Sequence, residues 1–250
     1  MNILGIIPAR MGSSRYPGKP MVKLFGKPMI GHVYERVSSN NLLSLTAVAT
    51  CDKEIADYVQ SIGGIAVITS KNHERASDRC AEALEILEIK KSLKYDIVVM
   101  VQGDEPMTHP NMISEAIKPL IENETVVVSN LLGKIESNDE FKDRNTIKVV
   151  IDKFNNAIYM SREPIPTRSK SEKIEKYKQV CVIPFKRDFL IEYTQMSQTP
   201  LEIAESIDML RVIENGLSVK MVQTNFKTHA VDTPEDLEKV VLMMKQDWFE

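Results

Sequence analysis

The stretch Pro8–Pro20 reads PARMGSSRYPGKP and carries two glycines, two serines, two arginines and a lysine directly behind an apolar run. Glycine lets main chain approach a phosphate, main-chain N–H groups donate to it, and Arg and Lys neutralise its charge. The spacing is neither that of a Walker loop nor GxGxxG, so a basic surface loop is the alternative reading. A second group is Gln102-Gly103-Asp104-Glu105-Pro106, again behind an apolar run. An aspartate there, opposite a phosphate loop, suits Mg²⁺, which prefers one or two carboxylates plus phosphate oxygens; a turn aspartate is the alternative. Asp232, in Val231-Asp232-Thr233-Pro234-Glu235-Asp236, offers the second carboxylate, with Thr233 read as a helix cap. Arg162 follows Ala157–Met160, where a guanidinium can grip a carboxylate in two-pronged fashion. His32, His73, His109 and His229 form no metal-ligand spacing, and His32 reads as structural. No Ser/His/Asp order supports a covalent nucleophile.

Alternating strands and helices must position these groups. Asn2–Pro8 is a short apolar run ended by proline and reads as a buried strand. A helix is expected over Pro28–Ser38, strands at Leu45–Thr50 and Ala66–Thr69, and helices over Glu54–Ser61, capped by Asp52, and Asp78–Leu87. Tyr95–Val101 is a β-branched strand. This alternation predicts an α/β, Rossmann-like sandwich with a mostly parallel central sheet. In such sheets ligands gather at the carboxyl ends of strands, so the loops Ala9–Pro20 and Gln102–Pro106 should face one crevice. Further on, strands are expected at Thr125–Asn130, Thr146–Ile151, Ala157–Ser161, Val180–Phe185 and Ser218–Val222, and helices over Leu201–Glu214 and Pro234–Lys245. Thr167–Tyr177 is polar and basic and reads as a mobile surface loop. With no linker or repeat, residues 1–250 read as a single domain carrying a smaller mixed insertion, and residues 150–200 as its dimerisation and acceptor subregion.

Composition narrows the partners. The chain has 250 residues, 43% hydrophobic and 27% charged, within ordinary globular usage. Its net charge of -3 provides no global basic field for nucleic acid. Cys51, Cys80 and Cys181 form no CxxC pair, which fits a reducing cytoplasm. No signal peptide or membrane span is legible.

Taken together, IIPARMGSSRYPGKP at 6–20, GKPMIGHVYER at 26–36, VQGDEP at 101–106, IKVVID at 147–152, AIYMSR at 157–162 and VDTPEDLE at 231–238 resemble the 3-deoxy-manno-octulosonate (KDO) cytidylyltransferase family, over nearly the whole chain. The resemblance implies a cytoplasmic, homodimeric enzyme that transfers CMP from CTP to a 2-keto-3-deoxy sugar acid and releases pyrophosphate, with Mg²⁺ as cofactor. It implies that Arg10, Arg15 and Lys19 contact the triphosphate, with Ala9, Ser13 and Gln102 also on the nucleotide side. Ser77 and Arg79 would read the cytosine. Asp104 and Asp232 would hold the metal, and Lys19, Asp104 and Arg10 would be catalytic. Gln102, Arg162, Gln179 and Glu202 would hold the sugar acid.

Two departures stand out. A glycine usual in the family's base-reading stretch is Ala76 here, preceded by Arg75. A histidine and a tyrosine usual at the sugar site are Gln179 and Ile183. The second departure predicts an acceptor site reshaped toward another acid, such as an amino-KDO, a nonulosonate or a smaller acid. A nucleotide-binding relative without catalysis and a sugar-phosphate pyrophosphorylase are the other classes weighed. The retained Lys19, Asp104 and Asp232 speak against the first, and the VDTPEDLE and QGDEP segments against the second.

Overall fold

The computed structural model describes residues 1–12, 15–167 and 174–247. Its chain divides into two compact units, Met1–Ser114 with Lys227–Glu250, and Glu115–Phe226.

The first unit opens on β1 (Ile3–Ala9), buried along its whole length, as expected of an inner parallel strand. A short 3-10 turn (Lys19–Met21) and the small hairpin β2 (Lys23–Leu24) and β3 (Lys27–Pro28) lead into α1 (Met29–Ser38). There follow β4 (Leu45–Thr50), α2 (Lys53–Ser61), β5 (Ile65–Ile68), α3 (Ala76–Lys91) and β6 (Ile97–Val101). Within this unit the strands run parallel in the order β6-β1-β4-β5. Register places Ala9 opposite Thr50 and Ile6 opposite Met100. The loops leaving β1, β4 and β6 therefore emerge at one edge, as the parallel-sheet reading requires. His32 is structural: it is buried on α1 and its Nε2 meets the Leu24 carbonyl at 2.8 Å.

α4 (Pro110–Glu122) carries the chain into the second unit. There β7 (Ser129–Lys134), α5 (Asn138–Lys142), β8 (Lys148–Ile151), β9 (Ala157–Ser161), β10 (Tyr177–Val180) and β11 (Val182–Lys186) follow. Then come α6 (Arg187–Gln195), α7 (Pro200–Glu205), α8 (Met209–Glu214) and β12 (Lys220–Gln223). The sheet order is β12-β7-β10-β8-β9, and only β12 and β7 run parallel. The strand expected over Val180–Phe185 is two strands, parted at Cys181. The helix expected over Leu201–Glu214 is also two, because Ser206 turns left-handed (φ 53°) and ends α7. The expected loop Thr167–Tyr177 lies largely outside the described residues, and Tyr177 already begins β10. Residues 150–200, expected from the sequence to form the dimerisation and acceptor subregion, fall inside this second unit.

The chain then returns to the first unit with α9 (Pro234–Asp247). Val240 and Met244 of α9 pack with Leu24, Met29, Met107 and Val231 in a buried cluster. Burying such side chains stabilises by roughly 1.5–3 kcal/mol each. The cluster thereby holds the segment around Asp232 to the body of the unit.

Candidate active site

The phosphate-loop candidate is closed at its base. Gly18 donates its main-chain N–H to the Met11 carbonyl at 3.1 Å, and Lys19 donates to that of Tyr16 at 3.2 Å. Gly18 has φ 73°, a conformation that costs glycine little and other residues more. The Met11 N–H is held in turn by Asp52, whose Oδ2 accepts it at 2.7 Å. Asp52 stands at the N-cap position of α2 as expected, but its side chain makes no bond to that helix. Arg10 is exposed and Ala9 buried, while Ser13 lies outside the described residues.

The turn after β6 approaches closely. A Cβ added to Gly103 would stand 3.0 Å from the Pro8 carbonyl oxygen, so glycine permits Asp104 to reach the loop after β1. The Asp104 carbonyl accepts the Val231 N–H at 2.9 Å, and the buried Glu105 accepts the Thr228 hydroxyl at 2.7 Å. These two bonds stitch the Asp104 turn to the segment carrying Asp232. Asp236 then shapes that segment: its Oδ2 accepts the N–H groups of Asp232 (3.2 Å) and Thr233 (3.0 Å). His229 Nε2 meets its other oxygen at 3.0 Å.

The outcome is a four-residue charge cluster. Lys19 Nζ donates to Asp104 Oδ2 at 2.6 Å and to Asp232 Oδ1 at 3.2 Å. Arg15 Nη2 donates to the same Asp232 oxygen at 2.9 Å. Burial would lower the Lys19 pKa, but the two carboxylates outweigh it and hold the ammonium above the ordinary lysine value. Lys19, Asp104 and Asp232, far apart in sequence, thus share one point. One ammonium touching both carboxylates means that one cation can bridge them. No group of three or more His, Cys, Asp or Glu suited to a metal occurs among the described residues. Two carboxylates are what Mg²⁺ takes when phosphates supply further oxygens, so the donor set fits that ion.

At the start of α3, Ser77 and Arg79 are both buried. Arg79 Nη1 donates to the Thr69 hydroxyl (2.5 Å) and the Ser70 carbonyl (3.2 Å), while its buried Nη2 has no partner among the described residues. A buried donor left over costs about 1–3 kcal/mol, which a ligand carbonyl can recover. Glu82 supports this loop by accepting Ser70 N–H at 2.7 Å and meeting His73 Nε2 at 2.6 Å. Ala76 is the first residue of α3, a position alanine suits.

The acceptor candidates lie in the second unit, apart from Gln102, which is half-buried in the Asp104 turn. Arg162 turns its guanidinium onto main-chain carbonyls, of Glu205 (2.7 Å), Arg144 (3.0 Å) and Ser206 (3.4 Å). Glu205 answers by accepting Arg162 N–H (2.8 Å), Ser161 Oγ (2.6 Å) and Tyr159 OH (3.2 Å). Gln179 Nε2 donates to Asn130 Oδ1 at 2.6 Å, and Ile183 is buried. Glu202, expected at the acceptor, is fully buried, and Arg211 grips its two oxygens at 2.8 and 2.6 Å. A carboxylate so engaged joins α7 to α8, and the acceptor assignment for Glu202 is corrected to a structural one.

Asp52, Glu105 and Asp236 escaped the sequence reading as site residues. The signal for Asp52 was its place just past a strand end, where ligands gather.

The cytidylyltransferase family profile matches residues 4–240. The chain belongs to that family. It is 44% identical to the 3-deoxy-manno-octulosonate cytidylyltransferase of Geotalea uraniireducens, over 98% of this chain and 100% of that one. It is 42% identical to the protein of the same name from Fusobacterium nucleatum, over 99% and 98%. Among solved structures it is similar to a CMP:2-keto-3-deoxy-manno-octonic acid synthetase complexed with CTP, at 36% identity, 99% and 100% coverage and a TM-score of 0.88. A 4-diphosphocytidyl-2C-methyl-D-erythritol synthase at 13% identity and TM-score 0.66 shares the fold. This cytidylyltransferase is therefore an α/β nucleotidyltransferase, and the readings without catalysis fall away.

Proposed function

We propose that this enzyme transfers CMP from CTP to KDO and releases pyrophosphate, with Mg²⁺ held by Asp104 and Asp232. The observation that carries the reading is the meeting of Lys19, Asp104 and Asp232 beside the loop after β1. The likeness to a synthetase complexed with CTP supports the choice of nucleotide. Phosphoryl-type transfer needs positioning and charge neutralisation more than covalent help. Arg10, Arg15 and Lys19 supply positive charge for the triphosphate and for the departing pyrophosphate. Arg79, with its buried Nη2 still to be satisfied, and Ser77 read the base. The anomeric hydroxyl oxygen of the acid bonds to the α-phosphorus as the bond from that phosphorus to the α,β-bridging oxygen breaks; pyrophosphate leaves with that oxygen and the hydroxyl proton passes to solvent. The metal, when bound, neutralises phosphate charge and helps orient the nucleophile.

A second acceptor is kept because of Gln179 and Ile183. Their side chains, an amide tied to Asn130 and a buried alkyl group, offer little hydrogen bonding to a polyhydroxylated sugar. An amino-KDO, a nonulosonate or a smaller acid is that alternative. Pyrophosphate release with CTP, Mg²⁺ and a panel of these acids decides. KDO should give the highest kcat/KM; a better acid in the panel would replace it, and no turnover with any acid would end the proposal. Melting shifts with CTP, UTP, GTP and ATP test the nucleotide, because a bound ligand raises stability by mass action.

We further read the chain as a cytoplasmic homodimer. Cys51, Cys80 and Cys181 form no CxxC pair, which suits a reducing compartment; no described helix is long and apolar enough to cross a membrane. Phe154 and Ile158, 62% and 57% exposed in the 150–200 subregion, are apolar surface of the kind a partner covers. Light scattering on the purified chain tests the dimer.

A further inference from the structure

Lys19 does more in this structure than wait for phosphate. Its ammonium is the bridge between both candidate metal carboxylates, with side chains 12%, 23% and 16% exposed for Lys19, Asp104 and Asp232. Arg15 adds a second cation on Asp232 from a more open position, 46% exposed. Among the described residues the cluster sets two carboxylates against an ammonium and a guanidinium. Resting on the metal reading above, we infer that Lys19 makes the cation site nucleotide-dependent, so that the enzyme takes its divalent ion as the metal–nucleotide chelate and not as the free ion.

The reason is electrostatic. A free dication entering between Asp104 and Asp232 must displace Lys19 from both. It then leaves the ammonium and the Arg15 guanidinium beside an added double positive charge, in a site partly shielded from water, where like charges repel more strongly than in bulk. A chelate brings its own phosphate oxygens. Lys19 and Arg15 can turn from carboxylate to phosphate oxygen, exchanging one charge-assisted hydrogen bond for another. The flexible four-carbon stem of lysine suits such a swing better than a planar guanidinium fork would. The carboxylates meanwhile exchange ammonium for metal, and no partner is left uncompensated. Lys19 is in this sense a specificity-determining residue for the form in which the metal arrives.

Mn²⁺ serves as a spectroscopic probe for an oxygen-lined site. Equilibrium dialysis with electron paramagnetic resonance counting of the ion retained on the full-length chain, after the Mn²⁺ held by CTP alone in a protein-free control is subtracted, measures its binding with and without CTP and with no acceptor present. The wild-type protein should bind Mn²⁺ weakly alone and far more tightly with CTP. Lys19→Met should gain affinity for Mn²⁺ alone by about tenfold or more, and Arg15→Met by less, because removing a neighbouring positive charge relieves the repulsion. Lys19→Gln is carried in parallel, so that a folding failure of one variant leaves the other. Adding Asp104→Asn to Lys19→Met should remove the gain. If wild type binds Mn²⁺ alone as tightly as the Lys19 variants, the inference is overturned while the metal reading stands. If CTP recruits no Mn²⁺ to wild type, or recruits it equally to Asp104→Asn and Asp232→Asn, the metal reading itself fails and takes the inference with it.

Discussion

Asp52 sits at the head of α2, yet its carboxylate accepts the main-chain N–H of Met11, 2.7 Å away and 41 residues earlier in the chain. This bond pins the first turn of the proposed phosphate loop. A hydrogen bond to a charged group contributes about 1.5–3 kcal/mol, which corresponds to roughly tenfold or more in affinity. Asp52→Ala should therefore raise KM for CTP by about that factor with little change in kcat. Asp52→Asn, which keeps an acceptor oxygen, should recover most of the loss. Steady-state kinetics in CTP checks both; equal KM values for Asp52→Ala and wild type would separate Asp52 from the loop.

Asp104→Asn should abolish turnover and leave the fold intact. The bond from Val231 goes to the Asp104 main-chain carbonyl, which the substitution keeps. A neutral amide, however, is a poor ligand for a hard dication. Pyrophosphate release measured beside the melting temperature is the check, and near-normal turnover would discard the metal assignment.

Lys19→Ala and Arg10→Ala should each lower kcat/KM for CTP. Lys19, largely buried among carboxylates, should cost more, on the order of 10²–10³-fold, as removal of one preorganised donor does. Arg10 is exposed and should cost less. Unchanged values in both variants would contradict the loop assignment.

Glu202→Gln should destabilise the fold without a specific effect on acceptor KM. Arg211 would be left charged and buried without its anion, and breaking such a pair costs about 3–5 kcal/mol. The Arg211 guanidinium, stacked 4.5 Å from the Tyr193 ring centre, cannot readily turn to solvent. Urea unfolding of wild type and variant reads the difference.

Glu205 gives a pH signature. Burial alone would raise its pKa, but the bonds from Arg162 N–H, Ser161 and Tyr159 outweigh it and hold the carboxyl below its ordinary value of 4.5. A depressed folded pKa means that the stabilisation is present above the ordinary value and is lost as pH falls through the folded one. Wild type should therefore melt above Glu205→Gln at neutral pH, and the gap should narrow below pH 4.5. A gap that persists unchanged into stronger acid would mean that the carboxylate charge is not what Arg162 and Ser161 use.

What the sequence determined by itself was local in origin. β1 and β6 were legible because strands buried on both faces must be unbroken apolar runs, and loops rich in Gly, Arg and Lys or in Asp mark themselves as candidate sites by residue type. Parallel topology then dictates that what leaves β1 and β6 meets at one edge, so Lys19 and Asp104 could be paired before any distance was known. Tertiary structure decided what depends on long-range partners. Nothing near Glu202 in sequence announces that Arg211 will bury it, and nothing at Asp52 says that it will turn from its own helix to Met11. Ser206 divides α7 from α8 by a left-handed turn that residue type does not announce, and Pro119 stands inside α4, where residue type alone marks a break. The second sheet is mostly antiparallel because β7, β8 and β10 pair by register across intervening loops, which hydrophobic periodicity cannot encode. A carboxylate's role is set by which cation the fold brings to it: Asp104 receives the mobile ammonium of Lys19 at a partly open site, Glu202 a guanidinium locked in the core, and only the first can exchange its partner.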